Sequence, residues 1–235
     1  MTKQLILSNR LKLITKFLPK GATFADIGSD HAYLPISVCL SDPTAKAIAG
    51  ELNHGPFQAA KDHVKKYQLT DQISVKKGDG LDVIRNDKVS QVVIAGMGGG
   101  LIQSILERGK DTLLNVERLI LQPNVDSQYL REWLEKNNYN LVDEAILAED
   151  GHIYEVLVAD QARDHQVNQL TKQEKLFGPF LLKSRNQAFI TKWERERDNY
   201  RRIIKQMGQA KQPDQKKIND YIEQLGWIER VLNDD

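Results

Sequence analysis

The feature that most constrains the fold is an alternation, over the first 160 residues, of short apolar runs with stretches of helical periodicity. Strands are predicted at Ala22–Ile27, Ala45–Ala49, Ile73–Lys77, Val92–Ala95, Leu119–Leu121, Leu141–Leu147 and Ile153–Val158. Helices are predicted at Ser8–Leu18, Asp30–Leu40, from Pro56 to Tyr67, and at Gln128–Lys136. This alternation is typical of βα units on a largely parallel sheet, closed here by a terminal hairpin. We therefore predict an α/β, Rossmann-like fold with seven strands.

The last third of the chain has a different pattern. From Phe180 to Met207 and again from Ile218 to Leu232, large apolar residues recur at steps of three and four. This spacing predicts two helices joined by a turn, an antiparallel coiled-coil hairpin. Residues 161–235 carry 15 basic and 11 acidic side chains, against 18 and 21 in residues 1–160. We predict a Rossmann-like domain over 1–160 and a helical hairpin over 161–235, whose positive charge suits a polyanion.

Composition excludes several classes of protein. With 40% hydrophobic and 28% charged residues, the chain is globular rather than disordered. The single cysteine, Cys39, cannot form an internal disulfide or a multi-cysteine metal site, and it falls inside a helix pattern, which indicates a buried structural thiol. No apolar run approaches the roughly 18 residues of a membrane span, and no signal-peptide pattern is present. We expect a cytoplasmic protein that needs neither membrane nor metal.

Acidic residues follow three of the predicted strands, where an open parallel sheet binds its ligands. The first strand leads into Asp26-Ile27-Gly28-Ser29-Asp30, with one glycine where a dinucleotide-binding turn needs three, which disfavours a dehydrogenase. Glu51 ends the second strand and can accept hydrogen bonds from both ribose hydroxyls, and Asp79 ends the third and can accept from an exocyclic amine. Together they predict a site for an adenosine-bearing ligand without phosphates, which S-adenosylmethionine fits.

The fourth strand narrows the chemistry. Enzymes that methylate exocyclic amines of bases typically place an Asp/Asn-Pro-Pro-aromatic motif there, whereas this chain has Ala95-Gly96-Met97-Gly98-Gly99. The glycines let backbone approach a ligand closely but leave Met97 as the one sizeable side chain. A ring nitrogen with an in-plane lone pair needs no proton removed before attack, so this loop suits such a target. Methylation at carbon 5 of a pyrimidine would need a nucleophilic cysteine, which Cys39 does not provide.

Taken together, these motifs resemble those of the bacterial tRNA (adenine(22)-N(1))-methyltransferase family. The resemblance is carried by Arg10-Leu11, Ala25 to Pro35, Gly78-Asp79-Gly80, Ala95 to Gly99, Gln122-Pro123-Asn124 and Tyr154-Glu155. It implies a class I methyltransferase fold and methyl transfer from S-adenosylmethionine to N1 of adenine 22 in the D-arm of tRNA. It also implies that the C-terminal coiled-coil hairpin helps to hold the RNA.

Under this resemblance, residues at and near the strand ends are expected to contact the cofactor. They are Arg10, Asp26, Gly28, Ser29, Glu51, Leu52, Asn53, Asp79, Gly80, Ala95, Gly96, Met97, Gly98 and Gly99. We expect Asp26 and Gly28 beside the methionine part, Glu51 on the ribose and Asp79 on the adenine.

Four residues are candidates for catalysis, each with a plainer alternative. Asp30 could stabilise the positive charge that methylation places on an adenine ring, or could simply cap the following helix. His31 could contact the methionine moiety or the adenine, or could orient the helix start. Tyr33 could stack on a base or pack in the protein, and Asn124 could contact the target or only shape its turn. The remaining histidines, His54, His63, His152 and His165, are interpreted as structural or solvated.

Cations of the first tail helix are candidates for contacting the RNA backbone. They are Lys183, Arg185, Lys192, Arg195, Arg201 and Arg202. Interspersed acids, among them Glu194 and Glu196, could instead form ordinary helical ion pairs with them. Phe189 and Trp193 fall on the apolar stripe and are interpreted as core of the hairpin.

Two further functions fit the same pattern less well. One is a class I methyltransferase acting on a small molecule or protein, with the tail as a dimerisation element. The other is a catalytically silent adenosine-binding module whose coiled coil docks a protein; the presence of Asp26, Glu51 and Asp79 together argues against it. We expect a monomer or weak dimer with tRNA as partner.

Overall fold

The computed structural model describes residues 5–162, 166–210 and 212–233, so His165 lies outside the described residues. Its strands are β1 (Thr23–Ile27), β2 (Lys46–Glu51), β3 (Ile73–Lys77), β4 (Gln91–Met97), β5 (Arg118–Pro123), β6 (Tyr139–Glu149) and β7 (His152–Gln161). Its helices are α1 (Asn9–Thr15), α2 (Tyr33–Ser41), α3 (His54–Lys66), α4 (Gly99–Arg108), α5 (Ser127–Lys136), α6 (Lys172–Phe177), α7 (Leu181–Ser184), α8 (Gln187–Gly208) and α9 (Gln215–Asn233).

All seven strands form one sheet in the order β3-β2-β1-β4-β5-β7-β6. Strands β1 to β5 pair in parallel, and β7 pairs antiparallel with both β5 and β6. The predicted seven-stranded Rossmann-like sheet and its terminal hairpin are confirmed. The chain leaves β1 toward β2 on one side and returns to β4 on the other, so the topological switch point lies between β1 and β4, at Gly28 and Met97.

Each face of the sheet is covered by helices, because alternate strand residues point to opposite faces. On one face, Val92 and Ile94 of β4 belong to a core that includes Ile102 of α4 and Trp133 of α5. On the other face, Val93 belongs to a core with residues of α1, α2 and α3. Cys39 lies in this second core with 1% exposure, which confirms a buried thiol, and burial raises its pKa to about 11.

The tail is helical but is divided differently from the prediction. A single helix beginning at Phe180 is wrong, because Arg185 adopts a left-handed conformation (φ 33°) and ends α7. Asn186 then starts α8 by accepting a hydrogen bond from the backbone N–H of Phe189 at 3.0 Å. Helices α8 and α9 run antiparallel, and Tyr200 donates to Gln224 between them at 2.8 Å. The two long helices are thus confirmed, and their supercoiling stays a prediction.

A third core joins these helices to the sheet. Phe189 and Trp193 of α8 are 0% and 2% exposed, which confirms them as core residues. They cluster with Phe177 of α6, Ile228 of α9 and Ile146 of β6. In the described segments, no helix is long and apolar enough to cross a membrane.

Beside this core lies a group of buried charges that we call the junction cluster: Arg131, Glu144, Glu155 and Lys192. The Arg131 side chain is fully buried and donates to Glu144 at 2.7 Å and to Glu155 at 3.2 Å. Lys192 of α8 donates to the other oxygen of Glu155 at 2.6 Å. Burial alone would raise the pKa of Glu155, but Lys192 and Arg131 together lower it to about 2. The junction cluster therefore neutralises its own charge and ties α8 to the hairpin of β6 and β7.

Candidate active site

The carboxyl ends of β1 to β5 meet along one edge of the sheet, and we call this region the strand-end site. Register places Ile27 beside Gly50 and Glu51 beside Lys77, so the residues that follow β1, β2 and β3 are neighbours. A cleft of about 130 Å³ opens there, with Gly28, Leu52, Asp79, Met97 and Arg108 among its lining residues. The sequence-predicted residues Gly80 and Leu52 line the same cleft.

Two buried carboxylates dominate the electrostatics of the strand-end site. Asp26 is 4% exposed and accepts a hydrogen bond from Ser29 Oγ at 2.7 Å. Burial raises the pKa of Asp26 to about 7, with Ser29 opposing the shift and the charge of Glu51 adding to it. Glu51 is 6% exposed, and burial also raises its pKa against the hydrogen bond from the His31 backbone. Neither carboxylate forms a salt bridge with any residue that the structure describes.

The turn after β1 has an unusual backbone. Asp30, His31 and Ala32 have φ values of 46°, 66° and 61°, so three successive non-glycine residues are left-handed. Helix α2 consequently begins at Tyr33, not at Asp30, and its N-cap residue is Ala32, without a side-chain cap. The helix-capping alternative for Asp30 is therefore wrong. Left-handed residues cost roughly 1–2 kcal/mol each, and such strain concentrates at functional sites. Here the turn directs the His31 N–H toward Glu51, 3.3 Å from Oε1.

Three aromatic side chains gather beside this turn. The ring centroids of His31 and Tyr33 are 5.9 Å apart, and His63 of α3 lies 5.8 Å from His31 and 5.4 Å from Tyr33. His63 Nδ1 is 3.2 Å from the His31 carbonyl oxygen, and His31 Nε2 is 3.5 Å from Asp30 Oδ1. The sequence interpretation of His63 as structural or solvated missed this placement, and no local motif marks it. Asp30 itself is exposed, with 84% of its side chain accessible.

Asp79 has a partner that the sequence did not indicate. Arg108, the last residue of α4, donates to its two oxygens at 2.8 and 3.5 Å. Both side chains are about half exposed, so the pair is solvated and can rearrange. Asn53 stands just after Glu51 as the exposed N-cap residue of α3.

The loop after β4 is braced from both sides. Gln122 is fully buried, and its Oε1 accepts from Arg10 Nη1 at 2.5 Å and from the Gly96 N–H at 3.0 Å. Asn124 donates through Nδ2 to the Gly96 carbonyl at 2.9 Å, and its backbone N–H donates to the Met97 carbonyl at 2.7 Å. Arg10 thus reaches the strand-end site from α1 as a brace for the loop that begins after Ala95.

Glycine is required at two places in this site. Gly28 has a φ of 71°, and a Cβ there would collide with the Met97 methyl group. A Cβ at Gly99 would collide with the backbone carbonyls of Val125 and Asp126. Gly98 is the N-cap residue of α4. The Met97 side chain consequently lies directly over the turn that follows β1.

The strand-end site suits the predicted cofactor. Leu52 and Leu101 are apolar and more than half exposed at the cleft, where they can cover a planar base. The unpaired acids Asp26 and Glu51 suit a ligand that brings cations and ribose hydroxyls. Met97 has three rotatable bonds and can yield the space over Gly28. Among the described residues, no group of three or more His, Cys, Asp or Glu side chains is placed to hold a metal ion.

The tail cations divide into three groups. Lys192 is committed to buried Glu155, and Arg185 donates to the carbonyls of Leu182 and Val231, so we do not retain these two as RNA contacts. Arg201 pairs with Glu229 at 2.6 Å. The others bind no carboxylate in the described part of the chain: Arg202 donates to Asn199, Arg195 donates to the Gly151 carbonyl, and Lys183 lies over the Phe180 ring.

Comparison with known proteins gives consistent results. The family profile described as tRNA (adenine(22)-N(1))-methyltransferase matches residues 24–226. The tRNA (adenine(22)-N(1))-methyltransferase of Bacillus subtilis (strain 168) is 45% identical over 98% of both chains. A Streptococcus pneumoniae structure, a putative tRNA (m1A22) methyltransferase in complex with S-adenosyl-L-methionine, superposes with a TM-score of 0.86 at 38% identity, covering 97% of this chain and 100% of that one. The M. capricolum TrmK structure with S-adenosyl-homocysteine gives 0.83 at 29% identity, covering 97% and 98%.

Proposed function

The chain belongs to the tRNA (adenine(22)-N(1))-methyltransferase family, and we propose that its strand-end site is where S-adenosylmethionine binds and N1 of adenine 22 in the tRNA D-arm is methylated. The observation that carries this assignment is the pair Asp26 and Glu51, which are buried at the switch point, have raised pKa values and form no salt bridge in the described part of the chain. Buried acids without a cation partner are costly in a free protein, and they suit a ligand that brings the missing positive charge and hydrogen-bond donors.

Each part of the cofactor has a residue suited to it. S-adenosylmethionine, when bound, supplies a methyl group activated by a cationic sulfonium. Glu51 accepts hydrogen bonds from the ribose hydroxyls, while Asp26 faces the cationic methionine part. Asp79 accepts from the exocyclic amine of the cofactor adenine, and its solvated pair with Arg108 adjusts to allow this. Leu52 and Leu101 pack against the base.

The target adenine needs positioning more than acid–base chemistry, because the N1 lone pair is available without deprotonation. Asn124 Nδ2 is committed to the Gly96 carbonyl, and its Oδ1 accepts a long hydrogen bond from Gln122 Nε2 at 3.4 Å. An amide oxygen has two lone pairs, so Oδ1 can also accept from the exocyclic amine of the target. The exposed carboxylate of Asp30 stabilises the positive charge that the methylated ring acquires. His31 and Tyr33 form the aromatic wall beside it.

RNA binding requires cations on the tail and access to the base. Lys183, Arg195 and Arg202 are the side chains that we assign to the phosphate backbone. Because N1 lies on the pairing edge, the adenine must be unpaired or flipped, at a cost of a few kcal/mol that the backbone contacts offset. Binding therefore weakens with salt, each neutralised phosphate contributing roughly 0.7–0.9 to the log–log slope.

We also propose that the protein acts in the cytoplasm as a monomer or weak dimer and needs no metal. Support for a monomer comes from the apolar stripes of α8 and α9, which pack against β6 within the same chain. This packing weakens the alternative in which the tail is a dimerisation element of an enzyme for small molecules or proteins.

The test is mass spectrometry of nucleosides from total tRNA incubated with the protein and methyl-labelled S-adenosylmethionine. We expect label in 1-methyladenosine, and none when a transcript carries guanine at position 22. Asp30→Asn should bind the cofactor normally and methylate on the order of tenfold to a hundredfold more slowly, since one charge interaction is lost. Label in another nucleoside, or in small molecules alone, would refute the assignment.

A further inference from the structure

A second cavity lies beside the strand-end site and is not used by the mechanism above. Its volume is about 480 Å³, and it is enclosed by the turn between β5 and α5, the turn between β6 and β7, and one face of α8. That volume is within the range of ligand-binding pockets. Asn124 lines this cavity and also donates to the Gly96 carbonyl at the strand-end site. The cavity therefore begins where the target base is expected to lie.

Trp193 gives the cavity an unmet hydrogen-bond donor. Its side chain lines the cavity and is 2% exposed, and its indole Nε1 has no acceptor among the described residues. A buried N–H without a partner costs free energy, so such groups call for an explanation. The Lys192 ammonium lies 4.8 Å from the ring centroid and is itself paired with Glu155. The indole N–H is therefore the donor in this wall for which a ligand can supply the acceptor.

The rim offers further groups suited to RNA. Arg195, Asn199, Tyr200 and His152 line the cavity, so a cation, an amide and two aromatic rings are available to a base. The lining also includes the acids Asp126, Glu155 and Glu196. Aromatic rings stack with any base, and a fixed N–H donor requires that the base turn a carbonyl oxygen or an unprotonated ring nitrogen toward it. The cavity thus suits a base that is held by stacking and by one accepted hydrogen bond.

We propose that this cavity binds a second base of the same tRNA, one that neighbours the target adenine in space, with Trp193 Nε1 donating to an acceptor atom on the edge of that base. The proposal rests on the proposed function, because it takes tRNA as the occupant. The base held here would fix the register of the RNA while the target adenine occupies the strand-end site. Trp193 is then a specificity-determining residue rather than a catalytic one.

The test is a double-mutant cycle between the protein and the RNA. Trp193→Phe removes the N–H and keeps an aromatic ring, and Trp133→Phe is the matched control, because Trp133 is 3% exposed and donates to Glu107 instead. Transcripts carry a single abasic residue at each position around the target in turn. At one of these positions, removal of the base should weaken tRNA binding about tenfold for the wild-type protein and for Trp133→Phe. For Trp193→Phe, removal of the same base should cause no further loss of affinity.

Asn199→Phe is a second variant, which narrows the cavity from the side of α8. It leaves the core unchanged because Asn199 is partly exposed. It should raise KM for tRNA about tenfold while leaving the Kd for S-adenosylmethionine unchanged. If Trp193→Phe and the loss of a base weaken tRNA binding additively at every position, while the intact transcript is methylated normally, the second-base site is refuted and the methyltransferase function is not. Absence of methylation of the intact transcript would instead refute the proposed function. The double-mutant cycle on tRNA affinity would still show whether the cavity binds a base.

Discussion

Asp26 and Glu51 at the strand-end site can be compared with Glu144 and Glu155 in the junction cluster, since all four carboxylates are less than a tenth exposed. At the junction, Arg131 bridges both acids and Lys192 adds a second cation to Glu155. At the strand-end site, the two acids face each other with a serine hydroxyl and backbone N–H groups for support. The two pairs of acids are therefore buried to the same extent, but the junction acids are paired with cations and the strand-end acids are not. This difference in charge balance distinguishes a structural cluster from a ligand site.

The largest effect should follow from breaking the junction cluster. Arg131→Met leaves Glu144 and Glu155 buried with Lys192 as the one remaining cation, so we expect the free energy of unfolding to fall by about 3–5 kcal/mol. Urea denaturation measures it. Arg118→Met is the control, because Arg118 pairs with Asp160 where both side chains are about one-third exposed, and about 0–1 kcal/mol is expected there. Equal losses in the two variants would remove the distinction between the junction cluster and an ordinary surface pair.

In the strand-end site, by contrast, removal of a buried charge should stabilise the free protein. The pKa of Asp26 is about 7 in the folded protein, against 3.8 for a free aspartate side chain. Between these pH values the native state therefore binds more protons than the unfolded state. Stability of the free protein should therefore fall as pH rises from about 4 to 7, by up to about 4 kcal/mol. Asp26→Asn should lose this dependence and gain stability relative to the wild type above pH 7. Parallel stability curves for the two proteins would show that Asp26 is ionised without cost.

A smaller effect is expected from the ribose contact. Glu51→Ala should weaken S-adenosylmethionine binding by about tenfold to a hundredfold, equivalent to about 1.5–3 kcal/mol for a charge-assisted hydrogen bond. The exposed Glu117→Ala is the control and should bind normally. Calorimetry that finds unchanged affinity in the Glu51 variant would remove Glu51 from the cofactor site.

No effect at all is expected from a chelator. Methyl transfer to a ring nitrogen requires alignment rather than a Lewis acid, so turnover should persist in EDTA. Loss of turnover that a divalent ion restores, and that refolding of the tRNA does not, would contradict this expectation.

The two regions also differ in how far the sequence predicts them. Strand ends such as Glu51 and Asp79 are visible because apolar runs stop at acidic or glycine residues, which is a local pattern. The junction cluster joins Arg131 to residues 13 and 24 positions away, and no periodicity marks it. Arg108 and His63 were likewise missed, because their contacts depend on how α4 and α3 pack.

Backbone conformation was the second feature that the sequence did not predict. Asp and His are enriched among left-handed residues, but the sequence Asp30-His31-Ala32 contains no glycine, and a run of three left-handed residues that includes Ala32 and delays the start of α2 is not indicated locally. In the tail, the apolar spacing predicted both long helices, but it does not show the break at Arg185, whose side chain donates to the carbonyls of Leu182 and Val231. The division into domains at 160/161 stays a prediction, and the third core shows that α8 shares apolar contacts with β6.

The central claim is that Asp26 and Glu51 form no salt bridge with a described residue because the cofactor supplies the balancing charge. Calorimetry of S-adenosylmethionine binding near pH 7, in two buffers of different ionisation enthalpy, tests it most directly. Because a cationic ligand favours the ionised carboxylate, the wild-type protein should release a fraction of a proton on binding, and its affinity should rise with pH through 7. Asp26→Asn should release none. Binding without proton release in the wild type, or identical release in both proteins, would contradict the account.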